Sequence, residues 1–153
     1  MTAWLLDHGA DPNQQCAIDL TPHAYAVESV PISTVRLTLD HSGDIQKCQL
    51  LHHAIDRQSE TIELLKLPPW ERCSYPCNPC IRIIFPSRRL YYFMDLGTVL
   101  HRASGAGKVD VVRFLISRGA DPSITDADGR TAIDCAERLN QRREAIQELQ
   151  NGN

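Results

Sequence analysis

Residues 98–130 read TVLHRASGAGKVDVVRFLISRGADPSITDADGR, and TAIDCA opens the same phrase again at Thr131. The step from Thr98 to Thr131 is 33 residues. A phrase returning at that interval marks a series of small modules, each unable to bury its apolar face alone. Such a series presents an outer surface and points away from an enclosed reaction cavity.

Within the phrase the local signals are consistent. Thr98 stands before an apolar-periodic stretch, where its hydroxyl can serve an orphan backbone N–H. Leu100 and Ala103 fall three apart, on one face of a short helix. Gly105 and Gly107 allow a tight reversal. Val109, Val112, Leu115 and Ile116 then trace the inner face of a second, amphipathic helix. Gly119 ends it where a positive φ is wanted, and Asp128-Gly129 marks a tight turn. The unit reads as helix, turn, antiparallel helix and a projecting hairpin-like loop.

Composition agrees with a folded chain: 42% of its 153 residues are hydrophobic and 23% charged, close to ordinary globular usage. A net charge of −3 offers no excess of cations for phosphates, so nucleic acid is not an expected partner. No apolar run approaches the roughly 20 residues of a membrane helix, and the first residues carry neither a basic leader nor a long apolar region. The expectation is an intracellular protein, of cytoplasm or nucleus, monomeric, with six reduced cysteines.

The quoted phrase resembles the ankyrin repeat, whose pattern includes T-P-L-H-x-A in about 33 residues. Here Thr98-Val99-Leu100-His101-Arg102-Ala103 carries it, with Val99 in place of the usual proline. Gly119-Ala120-Asp121-Pro122 and Asp126-Ala127-Asp128-Gly129 are similar to its closing phrases. Weaker copies lie upstream: residues 5–13 look like the end of a repeat, and residues 37–45 are a degraded version. Thr21-Pro22-His23-Ala24 and Leu50-Leu51-His52-His53-Ala54 look like helix starts. In the last copy, Asp134 stands where the family often has histidine, and Arg138 to Gln150 reads as a terminal helix with a polar outer face.

The resemblance implies an all-α, ankyrin-type solenoid of stacked helix-turn-helix units with hairpin loops and one long insertion. Its expected divisions are a partial first repeat at 1–14, a degenerate repeat at 15–46 and the helical part of a third at 47–66. An irregular Cys/Pro-rich insertion at 67–96, a well-matched repeat at 97–130 and a capping repeat at 131–153 follow. Met1 falls inside what reads as a second helix, which leaves Trp4, Leu5 and Leu6 without their usual cover. That start reads equally as a crude cap or as the edge of a longer array.

The insertion breaks the repeat phrase. From Leu65 to Thr98 is 33 residues, against 16 from Leu115 to Thr131. It holds Cys73, Cys77 and Cys80 among prolines, then two apolar runs about Arg88-Arg89. A lengthened hairpin and an irregular loop are both open readings, as is a stretch outside the selected fold. The three cysteines could bind zinc with a fourth ligand, or form a cluster triad resembling that of radical enzymes using S-adenosylmethionine. Three free thiols in a proline-rich loop is the reading adopted, with no metal and no cofactor expected.

Other constellations fail on context. Gly105-Ala106-Gly107-Lys108 lacks the rest of a phosphate loop and a preceding strand. His101, Asp134 and Cys135 suggest a nucleophilic site, but no oxyanion donor or cleft accompanies them. His52 and His101 match the family histidine that bonds backbone between units, and His53 is expected on a solvated face. The chain is therefore read as non-enzymatic. The resemblance implies a scaffold that binds another protein through Ala127, Asp128 and Arg130 on a hairpin tip and Arg102, Ala106 and Arg138 along the helices. The alternatives are zinc binding through Cys73, Cys77 and Cys80, or a fragment of a larger ankyrin-repeat protein without independent activity. Added zinc should leave the reactivity of the thiols toward a chromogenic dye unchanged; protection of three of them would establish a metal site.

Overall fold

A computed structural model describes residues 1–14, 21–41, 50–67, 97–139 and 143–151. All regular structure among these residues is α-helical. The chain divides into two compact units, residues 1–70 and 71–153. The degraded phrase at 37–45 lies partly outside the described residues. The insertion beyond Leu67, with Cys73, Cys77 and Cys80, lies wholly outside them.

The first unit holds α1 (Thr2–Asp7), α2 (Pro22–Ser29), α3 (Ile32–Asp40), α4 (Leu50–Asp56) and α5 (Thr61–Leu65). α2 packs on α3 and on α4, α4 packs on α5, and α1 packs on α3. Thr21 caps α2 by accepting the Ala24 N–H at 3.0 Å, with Pro22 in the first turn, where its missing N–H costs nothing. Pro31 is the residue preceding α3. The core is Ala24, Val27, Val35, Leu50, Ala54, Ile55, Leu64 and Leu65.

Two polar devices in this unit were not evident from periodicity. His23 is fully buried, at a position where the clearest copy has Leu100. Its Nδ1 lies 2.7 Å from the Thr38 hydroxyl of α3, which donates to the Val35 carbonyl at 2.8 Å. The threonine's one proton is thus used, so the ring nitrogen is the donor. This bond accounts for the burial of Thr38 between Leu37 and Leu39, which are only half-buried. Arg57, also buried, donates to the carbonyls of Val27 at 3.0 Å and Val30 at 2.7 Å. It therefore satisfies the open carbonyl end of α2 from the turn after α4.

The second unit holds α6 (Val99–Gly105), α7 (Val109–Ser117), α8 (Ala132–Arg138) and α9 (Arg143–Asn151). α6 packs on α7 and α8, and α9 packs on α7 and α8. The terminal helix expected from Arg138 starts later: α8 stops at Arg138 with Leu139 as its C-cap, and α9 starts at Arg143. Gly107, at φ 65°, makes the reversal between α6 and α7. Gly105 serves packing instead, because a Cβ there would come 3.1 Å from Leu139 Cδ1 and its bareness lets the neighbouring pair approach. The buried residues of α7 are Val111, Val112 and Leu115, with Val109 and Ile116 only half-covered. The inner face is rotated toward Val111 from the expected set because α9 as well as α6 lies against it.

α7 ends in paired 6→1 and 5→2 bonds: Ala120 N–H to the Leu115 carbonyl at 3.0 Å and Gly119 N–H to that of Ile116 at 2.9 Å. Leu115 is completely buried. Leu115→Ala should lower stability by about 2–5 kcal/mol in a urea melt; a change within about 0.5 kcal/mol would mean that α7 packs on nothing.

Candidate interaction surface

The loop between α7 and α8 is built from two aspartates. Asp121 accepts the Ser123 N–H at 2.8 Å, an Asx-turn that leads out of α7. Asp126 is almost fully buried. One of its oxygens accepts the N–H groups of Asp128 and Arg130, each at 2.9 Å, and the other receives Arg130 Nε–H at 3.0 Å. Two backbone bonds close the tip, from Asp126 N–H to the Arg130 carbonyl at 2.7 Å and from Gly129 N–H to the Asp126 carbonyl at 3.1 Å, with Gly129 at φ 77°. The hairpin-like loop is thus no strand ladder. A carboxylate does what the second strand's carbonyls would do.

Burial raises the proton affinity of Asp126. The Arg130 N–H, its guanidinium and the Asp128 N–H outweigh burial, and the carboxyl is held below the ordinary carboxylate range. The Arg130 guanidinium also pairs with the Asp128 carboxylate. The Cys135 thiol is buried and turned toward Asp126.

His101 ties this loop to the helices. Its Nδ1 accepts the Thr98 N–H at 3.0 Å, with the Thr98 hydroxyl at 2.8 Å, so the ring closes a capping box at the start of α6. That leaves the proton on Nε2, which donates to the Arg130 carbonyl at 3.0 Å. Both nitrogens of the neutral ring are engaged in holding the fold. In the next unit Asp134 caps the helix in place of the histidine, its carboxylate receiving the Thr131 N–H and hydroxyl, each at 2.7 Å. An aspartate has no donor to reach a further loop, so it keeps the cap and loses the bridge. The bonds from Thr131, backbone first, hold the Asp134 carboxyl below its usual range.

The six positions implied by the resemblance fall as follows. Ala127 and Asp128 are exposed on the tip. Arg130 is half-buried, its guanidinium committed to Asp126 and Asp128, so it braces the tip more than it projects. Arg102 and Ala106 lie on and just after α6, half-buried and exposed respectively, and exposed Arg138 ends the adjacent α8. Asp126, which organises the tip, was not among the expected residues. The signal was available, since Asp-x-Asp-Gly is an Asx-turn phrase. His53 corrects the solvated expectation: its side chain is only 13% exposed and its Nδ1 lies 3.2 Å from Glu28 of α2. A polar hollow of about 330 Å³ in the first unit is lined by Glu28, Ser29, Asp56, Arg57, Gln58 and Ser59. Its lining lacks the apolar walls usual for a small-molecule site.

Burial, the largest effect, lowers the affinity of His101 for a proton, and the Arg130 carbonyl and Asp126 only partly offset this. The sign follows: on acidification below about pH 6.5 the unfolded chain takes up the proton first, so stability is full above that pH and falls below it. An NMR titration should give His101 a midpoint below the ordinary value, and His101→Gln should flatten the decline of the melting temperature between about pH 7 and about pH 5. A midpoint at or above 6.5 would contradict this account.

Comparison with known proteins finds matches that include this part of the chain. A family model of ankyrin repeats in many copies matches residues 100–147. An E3 ubiquitin-protein ligase of Caenorhabditis elegans, hecd-1, is 51% identical over 37 residues. That stretch is 24% of this chain and about 1% of the length of that relative. No helix among the described residues is long and apolar enough to cross a membrane. The repeated phrase, the helix pairs that it forms and the family match together identify residues 100–147 as ankyrin repeats.

Proposed function

We propose that the protein is a binding scaffold, gripping another protein with the 126–130 tip and the neighbouring ends of α6 and α8. Ankyrin repeats generally mediate protein–protein interaction, and one observation supports the reading for this surface. The tip is locked from within by Asp126, Arg130 and His101 while Ala127 and Asp128 remain exposed. A contact loop ordered before it meets its partner loses little freedom on binding. Arg102 and Arg138 would supply the cationic contacts and Ala106 a low point between them. Binding is preferred to catalysis because both ring nitrogens of His101 are engaged with Thr98 and the Arg130 carbonyl.

The test is affinity capture with the full chain against the double variant Ala106→Arg/Ala127→Arg. Both alanines are exposed, so the variant should melt like the parent. Partners held by the parent should lose at least about tenfold in affinity, or about 1.4 kcal/mol, with the variant. Capture of the same partners at undiminished affinity would place the binding surface elsewhere.

A further inference from the structure

Asp128-Gly129 is the one Asp-Gly step in the chain. Such a step is chemically labile, because glycine has no Cβ to keep a side-chain carbonyl carbon away from its nitrogen. The Gly129 nitrogen can attack Asp128 Cγ. Its proton leaves with the hydroxyl of the protonated carboxyl as one water, and a five-membered succinimide closes. Water then adds back. Breaking the new N–Cγ bond restores aspartate. Breaking the original peptide C–N bond leaves isoaspartate, with the backbone running through Cβ and a free α-carboxylate. No other reactant is consumed, and the mass is unchanged.

At the tip this step is open to water: Asp128 and Gly129 are both exposed. What the tip supplies is restraint. The Gly129 N–H, which the reaction must give up, donates to the Asp126 carbonyl at 3.1 Å. The N–H groups on either side, of Asp128 and Arg130, are fixed on one Asp126 carboxylate oxygen at 2.9 Å each, so the peptides around the attacking nitrogen are held in place. The Asp128 carboxylate is paired with the Arg130 guanidinium. Arg130 Nε–H is in turn anchored on the other Asp126 oxygen at 3.0 Å. The two atoms that must meet, the nitrogen and Cγ, are thus each held by a separate partner.

We propose that Asp128 is a modification site that isomerises to isoaspartate when the tip opens, with Asp126 and Arg130 as the gate that keeps it closed. A loop can open locally while the helices beside it stay folded. The rate of isomerisation therefore reads the stability of these few bonds and not of the whole unit.

For the fold the change runs one way. Isoaspartate puts an extra carbon between the two N–H groups that share an Asp126 oxygen, so both cannot return to it. The Arg130 carbonyl, which accepts His101 Nε2–H at 3.0 Å and the Asp126 N–H at 2.7 Å, shifts with them. The modified tip loses its tie to α6. That a binding surface would fade with age in this way rests on the scaffold reading; the modification itself does not.

The test ages the full chain at physiological temperature and measures isoaspartate at position 128 by peptide mapping. The folded chain should accumulate it at least about tenfold more slowly than the same chain in concentrated urea. Arg130→Gln frees the Asp128 carboxylate and one Asp126 oxygen. It should speed the reaction at least about fivefold while circular dichroism still shows a folded chain. Deamidation at Asn151-Gly152 in the same samples serves as an internal clock and should not change. Amide hydrogen exchange of the unaltered chain gives a second reading should the variant fail to fold: protection at Gly129 should match the slowing of isomerisation to within about threefold. Equal rates in the folded chain and in urea, a folded Arg130→Gln no faster than the parent, an acceleration shared by Asn151-Gly152, or a Gly129 amide without protection would each overturn the proposal. None of these readings involves a captured partner, so they stand or fall apart from the scaffold reading.

Discussion

The described helices run from five to nine residues, below the roughly 12–15 at which a helix begins to hold in water on its own. Apart from α1, each buries part of its apolar face against a neighbour. That constraint explains why the core is a seam of modest side chains, alanine, valine and leucine, and not a cluster of aromatics. It also explains the glycines. Gly105 lets one pair close on the next, and Gly119 turns the chain immediately after α7, so no long connection is needed. Stability in such a unit is a matter of adjacent surfaces.

Apolar contact alone does not fix register, because leucine on alanine is tolerant of sliding. Polar bonds with a single geometry do so. His101 reads both the start of α6 and the end of the loop before α8. Asp126 binds three donors of that loop at once. In the first unit the same work falls to different residues: His23 with Thr38 joins α2 to α3, and Arg57 ties the end of α2 to the turn after α4. The weaker copies of the phrase thus lose the repeat's own histidine bond in α2, where Ala24 stands in its place, and replace it with bonds special to that unit.

The same constraint shows in which faces are covered. Where a first helix of the described residues precedes, as for α4 and α8, the residues it faces are buried or bonded. At α1 and α2, tryptophan, leucine and tyrosine are exposed. The tip of residues 126–130 projects with its bonds satisfied internally.

The sequence by itself determined the repeat interval, the helix pairs, the Thr caps at Thr21, Thr98 and Thr131 and the glycine stops, because these are local bonds between residues a few places apart. The family was legible over residues 98–136 for the same reason. Periodicity did not reveal which face of α7 turns inward, that the terminal helix starts only at Arg143, or that His53 and Arg130 are held and not free. It also left Asp126, Arg57 and the His23–Thr38 pair unremarked as organisers. Those outcomes depend on partners 4 to 30 residues away that only the packed helices bring within hydrogen-bonding reach. An apolar face can be read from spacing; the tertiary structure decides what lies against it, since that depends on which neighbour arrives.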